Sequence, residues 1–385
     1  MILFPLALVF YETIVYLAVD MYVPAMSSMR QDLQVSEYLV QLTITLWFLG
    51  SAALQLILGP ISDYIGRRPV ILCFCGLFIV SSVVCAITDN IYLMILARFC
   101  QGTAVCSVGV AGYAAIHELL EHKAAIKVLA WMGSITVMAP TLGPLLGSFV
   151  LEFGSWRDIF WILAGCSVLA LLFLWRVMPE SNQQIKYNKL NISKALQNYN
   201  IIIRNTNFVR YTIVAGCVFS GMIAWITAGP ILIIEDLHYS PFAVGVVQVF
   251  VFGSFAIGTI IVRVLINKYS AQFTVRVGVT LVLLGGSFAL ILALYKPELL
   301  MGLLIALMCY AMGAALIFAP LNRLAMEAVP NINMGTKIAI FSCIFSIFGV
   351  ISSILVDSSI ISIATILFGV ALVARVLYIR GATNV

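Results

Sequence analysis

From Gly59 to Pro69 the chain reads G-P-I-S-D-Y-I-G-R-R-P, a short charged loop between two uncharged runs, 38–62 and 69–88. Each run is long enough for the about 20 apolar residues that a helix needs to cross a bilayer. The loop leaves room only for a tight turn, which its glycines permit, so the two runs read as consecutive spans. The pattern repeats outward, with uncharged runs at 99–117, 128–151, 159–175, 211–234, 237–262, 277–295, 299–322, 338–356 and 358–374. A further apolar segment, Leu3 to Met29, is interrupted only by Glu12 and Asp20. Composition agrees: of 385 residues, 63% are hydrophobic and 10% charged, whereas soluble chains carry roughly 25% charged residues. The sequence reads as an all-α membrane protein of twelve transmembrane helices in two six-helix halves, 1–178 and 209–385, joined by a polar linker at 179–208. A soluble enzyme with a single anchor is excluded.

Positively charged loops stay in the cytoplasm. With the amino terminus inside, cytoplasmic segments hold 17 of the 21 Lys and Arg, the opposite loops hold Arg30, Arg157 and Lys296, and Arg98 lies within a span. Both termini are then cytoplasmic, and the net charge of +5 is a topology signal that does not point to nucleic acid. The linker, with Lys186, Lys189, Lys194 and Arg204, reads as lying along anionic lipid. All nine cysteines fall inside expected spans and show no metal-ligand spacing. The three histidines, His117, His122 and His238, fall at loop edges. With no His in a span and no H-E-x-x-H, the chain offers no set of groups for a membrane-embedded enzyme.

Chemistry concentrates in the first span. Glu12, Tyr16 and Asp20 recur every four residues, so they share one helical stripe, with the acids about 12 Å apart along the axis. A charge at the bilayer centre costs several kcal/mol, so paired acids there are candidates for taking up and releasing protons. The bland reading is a structural pair bonded to neighbouring helices. Arg98 is the one basic residue deep in a span; counting seven residues inward from Ser27 to Asp20 and from Ile91 to Arg98 puts both about 11 Å deep. Arg98 either meets Asp20 or donates to backbone carbonyls of the first span. In the loop, Asp63 is placed to pair with Arg67 or Arg68 and lock one conformation, the alternative being that both arginines are plain membrane anchors. In the fifth span Ala139, Gly143 and Gly147 recur every four residues while Pro140 and Pro144 interrupt the helix. Small residues at that spacing admit a neighbouring helix closely and proline frees carbonyls, which suits a packing seam or a gate between halves. The second half carries no deep charge by this count; its interior candidates are Met222, Trp225, Gln248, Phe250, Phe252 and Asn322.

The 59–69 loop resembles the signature of the major facilitator superfamily. Arg98-Phe99-Cys100-Gln101-Gly102 resembles its fourth-span motif, and Ala139-Pro140-Thr141-Leu142-Gly143-Pro144-Leu145-Leu146-Gly147 its drug/proton antiporter motif. Leu8 to Met21 with its paired acids, Gly112 to Ile116 followed by Glu118, and Ala224-Trp225-Ile226 resemble the multidrug/proton antiporters in particular. The sequence departs at Tyr64, where a basic residue is usual, and at Ser148, which replaces a last glycine. It also lacks a basic segment ahead of the first span, as a shortened or misassigned start would. The resemblance implies alternating access in a bacterial inner membrane by a monomer without a cofactor, the proton being the coupling ion. It implies proton coupling through Glu12, Asp20 and Arg98, and substrate contact through Glu12, Tyr16, Asp20 and Trp225. Conformational switching falls to Gly59, Asp63, Gly66, Arg67, Arg68, Glu118, Pro140, Gly143, Pro144 and Gly147. The implied partners are the lipid bilayer and small molecules, either varied drugs or one dedicated metabolite such as a siderophore or sugar.

Overall fold

A computed structural model describes residues 3–181, 192–295, 299–330, 332 and 334–382. It forms two compact units, Met1–Tyr199 and Asn200–Val385, and among the described residues it contains helices and no strands. The first unit begins with α1 (Leu3–Asp20), a 3-10 turn (Val23–Ala25) and α2 (Met26–Leu33), followed by α3 (Glu37–Ala53), α4 (Gln55–Ile65) and α5 (Arg67–Ile87). Then come α6 (Ile91–Ser107), a π-helical turn (Val108–Gly112), α7 (Tyr113–Leu119), α8 (His122–Phe153) and α9 (Trp156–Val177). Helix α10 (Ile192–Arg204) lies at the junction. The second unit holds α11 (Thr206–Ile231), a second π turn (Leu232–Asp236), α12 (Pro241–Lys268), α13 (Ala271–Tyr295), α14 (Leu300–Glu327), α15 (Met334–Leu355) and α16 (Ile360–Ala382).

Ten helical segments among the described residues are long and apolar enough to cross a membrane, or eleven if the pair α3 and α4, bent by 48°, is one span. In α8 the apolar stretch is Met138–Phe153. The first expected span is not one rod: α1 stops at Asp20 and the chain passes through a short turn into α2. Pro24, at the start of that turn, has no N–H to continue a helical ladder. Hydropathy passes over this break because Met21 to Ala25 carries no charged residue and stays apolar on average.

Local chemistry fixes the helix ends. Asn90 accepts from the backbone N–H groups of Tyr92 and Leu93 to start α6, and Ser155 with Asp158 forms a reciprocal capping box on α9. Between α4 and α5 sits Gly66 at φ 105°, a conformation that side-chain-bearing residues rarely adopt. Of the expected linker, 182–191, which includes Lys186 and Lys189, lies outside the described residues. Farther along, the Tyr199 hydroxyl donates to the Leu56 carbonyl at 2.6 Å.

Within the first unit α1 packs on α6, α8 and α9, and α3 packs on α6. Within the second, α14 packs on α11, α12 and α13, while α11 also packs on α15 and α16. Five phenylalanines meet there: Phe219 stacks on Phe345 with centroids 3.9 Å apart, and Phe255, Phe318 and Phe341 close around them.

Candidate functional site

Helix α1 carries its acids inward. Glu12 and Asp20 are 1% and 4% exposed, burials that charged side chains rarely reach unless partnered, and Tyr16 between them is half-buried. The Tyr113 hydroxyl, from α7, donates to Glu12 Oε1 at 3.1 Å. Glu12 Oε2 is buried with no hydrogen-bond partner among the described residues. Asp20 ends α1 and lies within electrostatic range of Arg98.

Arg98 is fully buried. Its Nη1 donates to the Ala18 carbonyl and to Gln101 Oε1, both at 2.9 Å, and Gln101 passes the chain on by donating to Ser82 at 2.8 Å. The guanidinium also lies over the rings of Tyr22, 4.7 Å from the centroid, and Phe160, 5.8 Å away. The Tyr22 hydroxyl is itself held within hydrogen-bond distance of Thr43 Oγ1, at 2.9 Å. Arg98 therefore donates to a first-span carbonyl, one of the two placements read from sequence, and lies within electrostatic range of Asp20. Its Nε and Nη2 are buried without hydrogen-bond partners among the described residues.

The small-residue seam of α8 runs along the end of α1. A Cβ at Gly143 would stand 2.4 Å from Asp20 Cβ, and one at Gly147 2.0 Å from the Met21 carbonyl oxygen. The seam's close neighbour is thus the acid-bearing helix of the same unit. Pro140 and Pro144 lie inside α8. Buried Ser148, where a last glycine is usual, donates its hydroxyl to the Pro144 carbonyl of the same helix at 2.7 Å.

At the loop between α4 and α5, Arg67 is the hub. Its Nη2 meets Asp63 at 2.5 Å and Glu118 at 3.1 Å, and its Nη1 meets Ser62 at 2.5 Å. Arg68 turns away and donates to the Trp175 carbonyl. Glu180 accepts from the backbone N–H groups of both arginines at 2.9 and 3.1 Å, capping α5, and Ser181 donates to Glu118 at 2.6 Å. Gly59 lies on α4 beside Val110, and Tyr64 is exposed.

On the far side of the same unit Arg157 bridges Asp32 and Asp89 and lies 4.1 Å from the Trp156 ring centroid. In the second unit Trp225 is buried and its indole N–H donates to Gln248 at 3.1 Å. Met222 and Phe252 are buried as expected from sequence, but Phe250 is half exposed, so it is not an interior residue. On α12 it is exposed while its neighbours Val251 and Phe252 are buried. Lys337 is also buried, its ammonium donating to the carbonyls of Met326, in the last turn of α14, and Val329, just beyond it; the charge count placed it at a span edge and gave it no role.

Sequence reasoning singled out no function for Gln101, Tyr113, Glu180 or Phe219. Gln101 and Tyr113 lay within the quoted motifs, whereas Glu180 and Phe219 carried no local signal.

The helices are long and apolar enough for a polytopic membrane protein, and residues 8–353 match the family model of the Major Facilitator Superfamily. The chain belongs to that superfamily and is a multi-pass membrane protein. Among its relatives is the multidrug transporter MdfA of Yersinia pestis bv. Antiqua (strain Angola), 32% identical over 335 residues, covering 87% of this chain and 81% of that protein. MdfA of Edwardsiella ictaluri (strain 93-146) is 33% identical over 325 residues, covering 84% and 79%. The fold is similar to that of the xylose transporter XylE from E. coli in a partially occluded inward-open conformation, with a TM-score of 0.75 at 14% identity over 98% of each chain. A D-xylose-proton symporter is also similar, with a TM-score of 0.70 at 16% identity over 96% of this chain and 97% of that one.

Proposed function

We propose that the protein is a proton-coupled multidrug efflux antiporter of the bacterial inner membrane, exporting lipophilic cationic and neutral compounds by alternating access. The observation that carries this reading is the pair of acids, Glu12 and Asp20, buried on one stripe of α1. The similarity to multidrug transporters named MdfA supports it. Taking α8, a 32-residue helix, as one further span brings the bundle to twelve, and an even number leaves both termini on one side, the cytoplasmic one by the distribution of Lys and Arg.

In this cycle Glu12 and Asp20 are ionised when substrate enters from the cytoplasm or the membrane, and protonated when the emptied carrier returns. Substrate and proton compete for one cavity of limited charge. Tyr16 and Trp225 line the substrate path, and Arg98 holds the end of α1 while biasing Asp20. The Arg67 network with Asp63 and Glu118, framed by Gly59, Gly66 and Arg68, holds one conformation. The α8 seam of Pro140, Gly143, Pro144 and Gly147 lets the acid-bearing helix move as the carrier turns. The working unit is a monomer that needs no cofactor.

The test is drug-induced proton release from the purified protein in detergent. The parent releases protons when a lipophilic cation binds, and the Glu12→Gln, Asp20→Asn double variant does not. Undiminished release from the double variant moves the proton site elsewhere and refutes the assignment.

A further inference from the structure

Glu12 has two carboxyl oxygens in unequal surroundings: Oε1 accepts from the Tyr113 hydroxyl at 3.1 Å, whereas Oε2 is buried without a hydrogen-bond partner among the described residues. How Tyr113 reaches Glu12 is set by an irregularity in the backbone. Between α6 and α7 lies one π-helical turn, Val108–Gly112, closed by the Tyr113 N–H donating to the Val108 carbonyl five residues earlier. Each residue turns an α-helix by about 100°, so the extra residue in the wide turn rotates everything after it by that angle. Single π turns inside α-helices are frequent at functional sites. Gly112 then lies against Leu8, one turn before Glu12, where an added Cβ would stand 3.1 and 3.3 Å from the leucine methyl carbons. The wide turn and the close approach together bring Tyr113 onto the carboxyl.

We propose that Tyr113 is the positioning residue of the Glu12 carboxyl, fixing Oε1 as the hydrogen-bond acceptor and leaving Oε2 as the oxygen that gains and loses the proton. This rests on the reading of Glu12 as a proton carrier. With a donor on Oε1, the acid form keeps its C=O on that side and its O–H on Oε2. On release the proton passes from Oε2 to water or to an incoming cation's solvation shell, and the tyrosine keeps its own proton throughout, so one proton is exchanged and no other group changes state. Tyr16 is within electrostatic range of the Tyr113 phenol and is the neighbour on the same stripe. A carboxyl that pivoted freely would present its proton in several directions; a pinned one presents it in one.

Infrared difference spectroscopy of the purified full chain reads this directly. The C=O stretch of protonated Glu12 is identified as the band missing from Glu12→Gln. In Tyr113→Phe, which keeps the ring and removes only the hydroxyl, the band moves to higher wavenumber because the C=O loses its donor. With 3-fluorotyrosine incorporated at position 113, a stronger donor of nearly the same shape, it moves to lower wavenumber. The fluorinated protein also serves if the phenylalanine variant fails to fold. A Glu12 band that stays in place in either modified protein overturns the inference alone. The absence of any band lost in Glu12→Gln removes Glu12 from the proton path and overturns both readings.

Discussion

Gly147→Ala puts the contact between α8 and α1 to the hardest test. The added methyl carbon would sit 2.0 Å from the Met21 carbonyl oxygen, 2.8 Å from its carbon and 3.0 Å from Met21 Cα. Ordinary contact begins near 3.4 Å, so the two helices must part by roughly 1.4 Å at this level. Both surfaces are backbone, and no rotamer change relieves the overlap. Overpacking of this kind costs about 3 kcal/mol at the upper end of its usual range, and replacing a helical glycine by alanine returns about 1 kcal/mol, which leaves a net loss of about 2 kcal/mol. Gly165→Ala is the control, since a Cβ there meets nothing within 4 Å, and it should be neutral or slightly stabilising. Thermal unfolding of the purified proteins in detergent, with transport of a lipophilic cation into inverted vesicles, measures both consequences. Gly147→Ala should melt below the parent and transport poorly because Asp20, next to Met21, is displaced. A Gly147→Ala protein as stable and active as Gly165→Ala would show that the seam is not packed as described.

Asp63→Asn should slow transport by up to about fivefold while leaving equilibrium drug binding near the parent value, since a half-exposed ion pair is worth at most about 1 kcal/mol and Glu118 still holds Arg67; equal losses of binding and transport would point to misfolding. A reporter fused after Asn188 should face the cytoplasm and one near Asp236 the opposite side, and reversal at both sites would overturn the topology. Trp225→Phe should destabilise the protein by about 1–3 kcal/mol, because it strands the buried Gln248 carbonyl oxygen. Adding Gln248→Met should recover much of that loss in the same melting assay, and a Trp225→Phe protein as stable as the parent would show that the pair carries no weight.

Much of the arrangement follows from spacing. The i, i+4, i+8 stripe in α1 is helical geometry, and the pairing of Asp63 with Arg67 is a four-residue neighbour relation of the same kind. What escaped the sequence depends on contacts or on small departures from a regular helix. Glu180 reaches Arg67 across 113 positions of chain, and no local pattern records such a cap. The wide turn at Val108–Gly112 adds one residue to a helix whose apolar character does not change, so hydropathy passes over it. Phe250 and Phe252 differ only in the face of α12 they occupy, and in a chain this apolar both faces look alike to composition. The five-phenylalanine contact in the second unit is invisible for the same reason: aromatic residues are spread along many spans, and only packing shows which of them meet.

Arg98 donates to a carbonyl in the last turn of α1, and this bears on the charge at Asp20 in the cycle proposed above. A helix gathers a partial negative charge at its carboxy-terminal turn, equivalent to roughly half an elementary charge. Ala18, whose carbonyl accepts from Arg98, lies in that turn. The guanidinium is therefore neutralised in part by the dipole of the helix it grips, and in part by the faces of Tyr22 and Phe160. None of these counter-charges titrates. In the proposed cycle, protonation of Asp20 would change the local charge by a whole unit while the arginine stays anchored, so the helix terminus would serve as a fixed electrode against which a single proton can be counted.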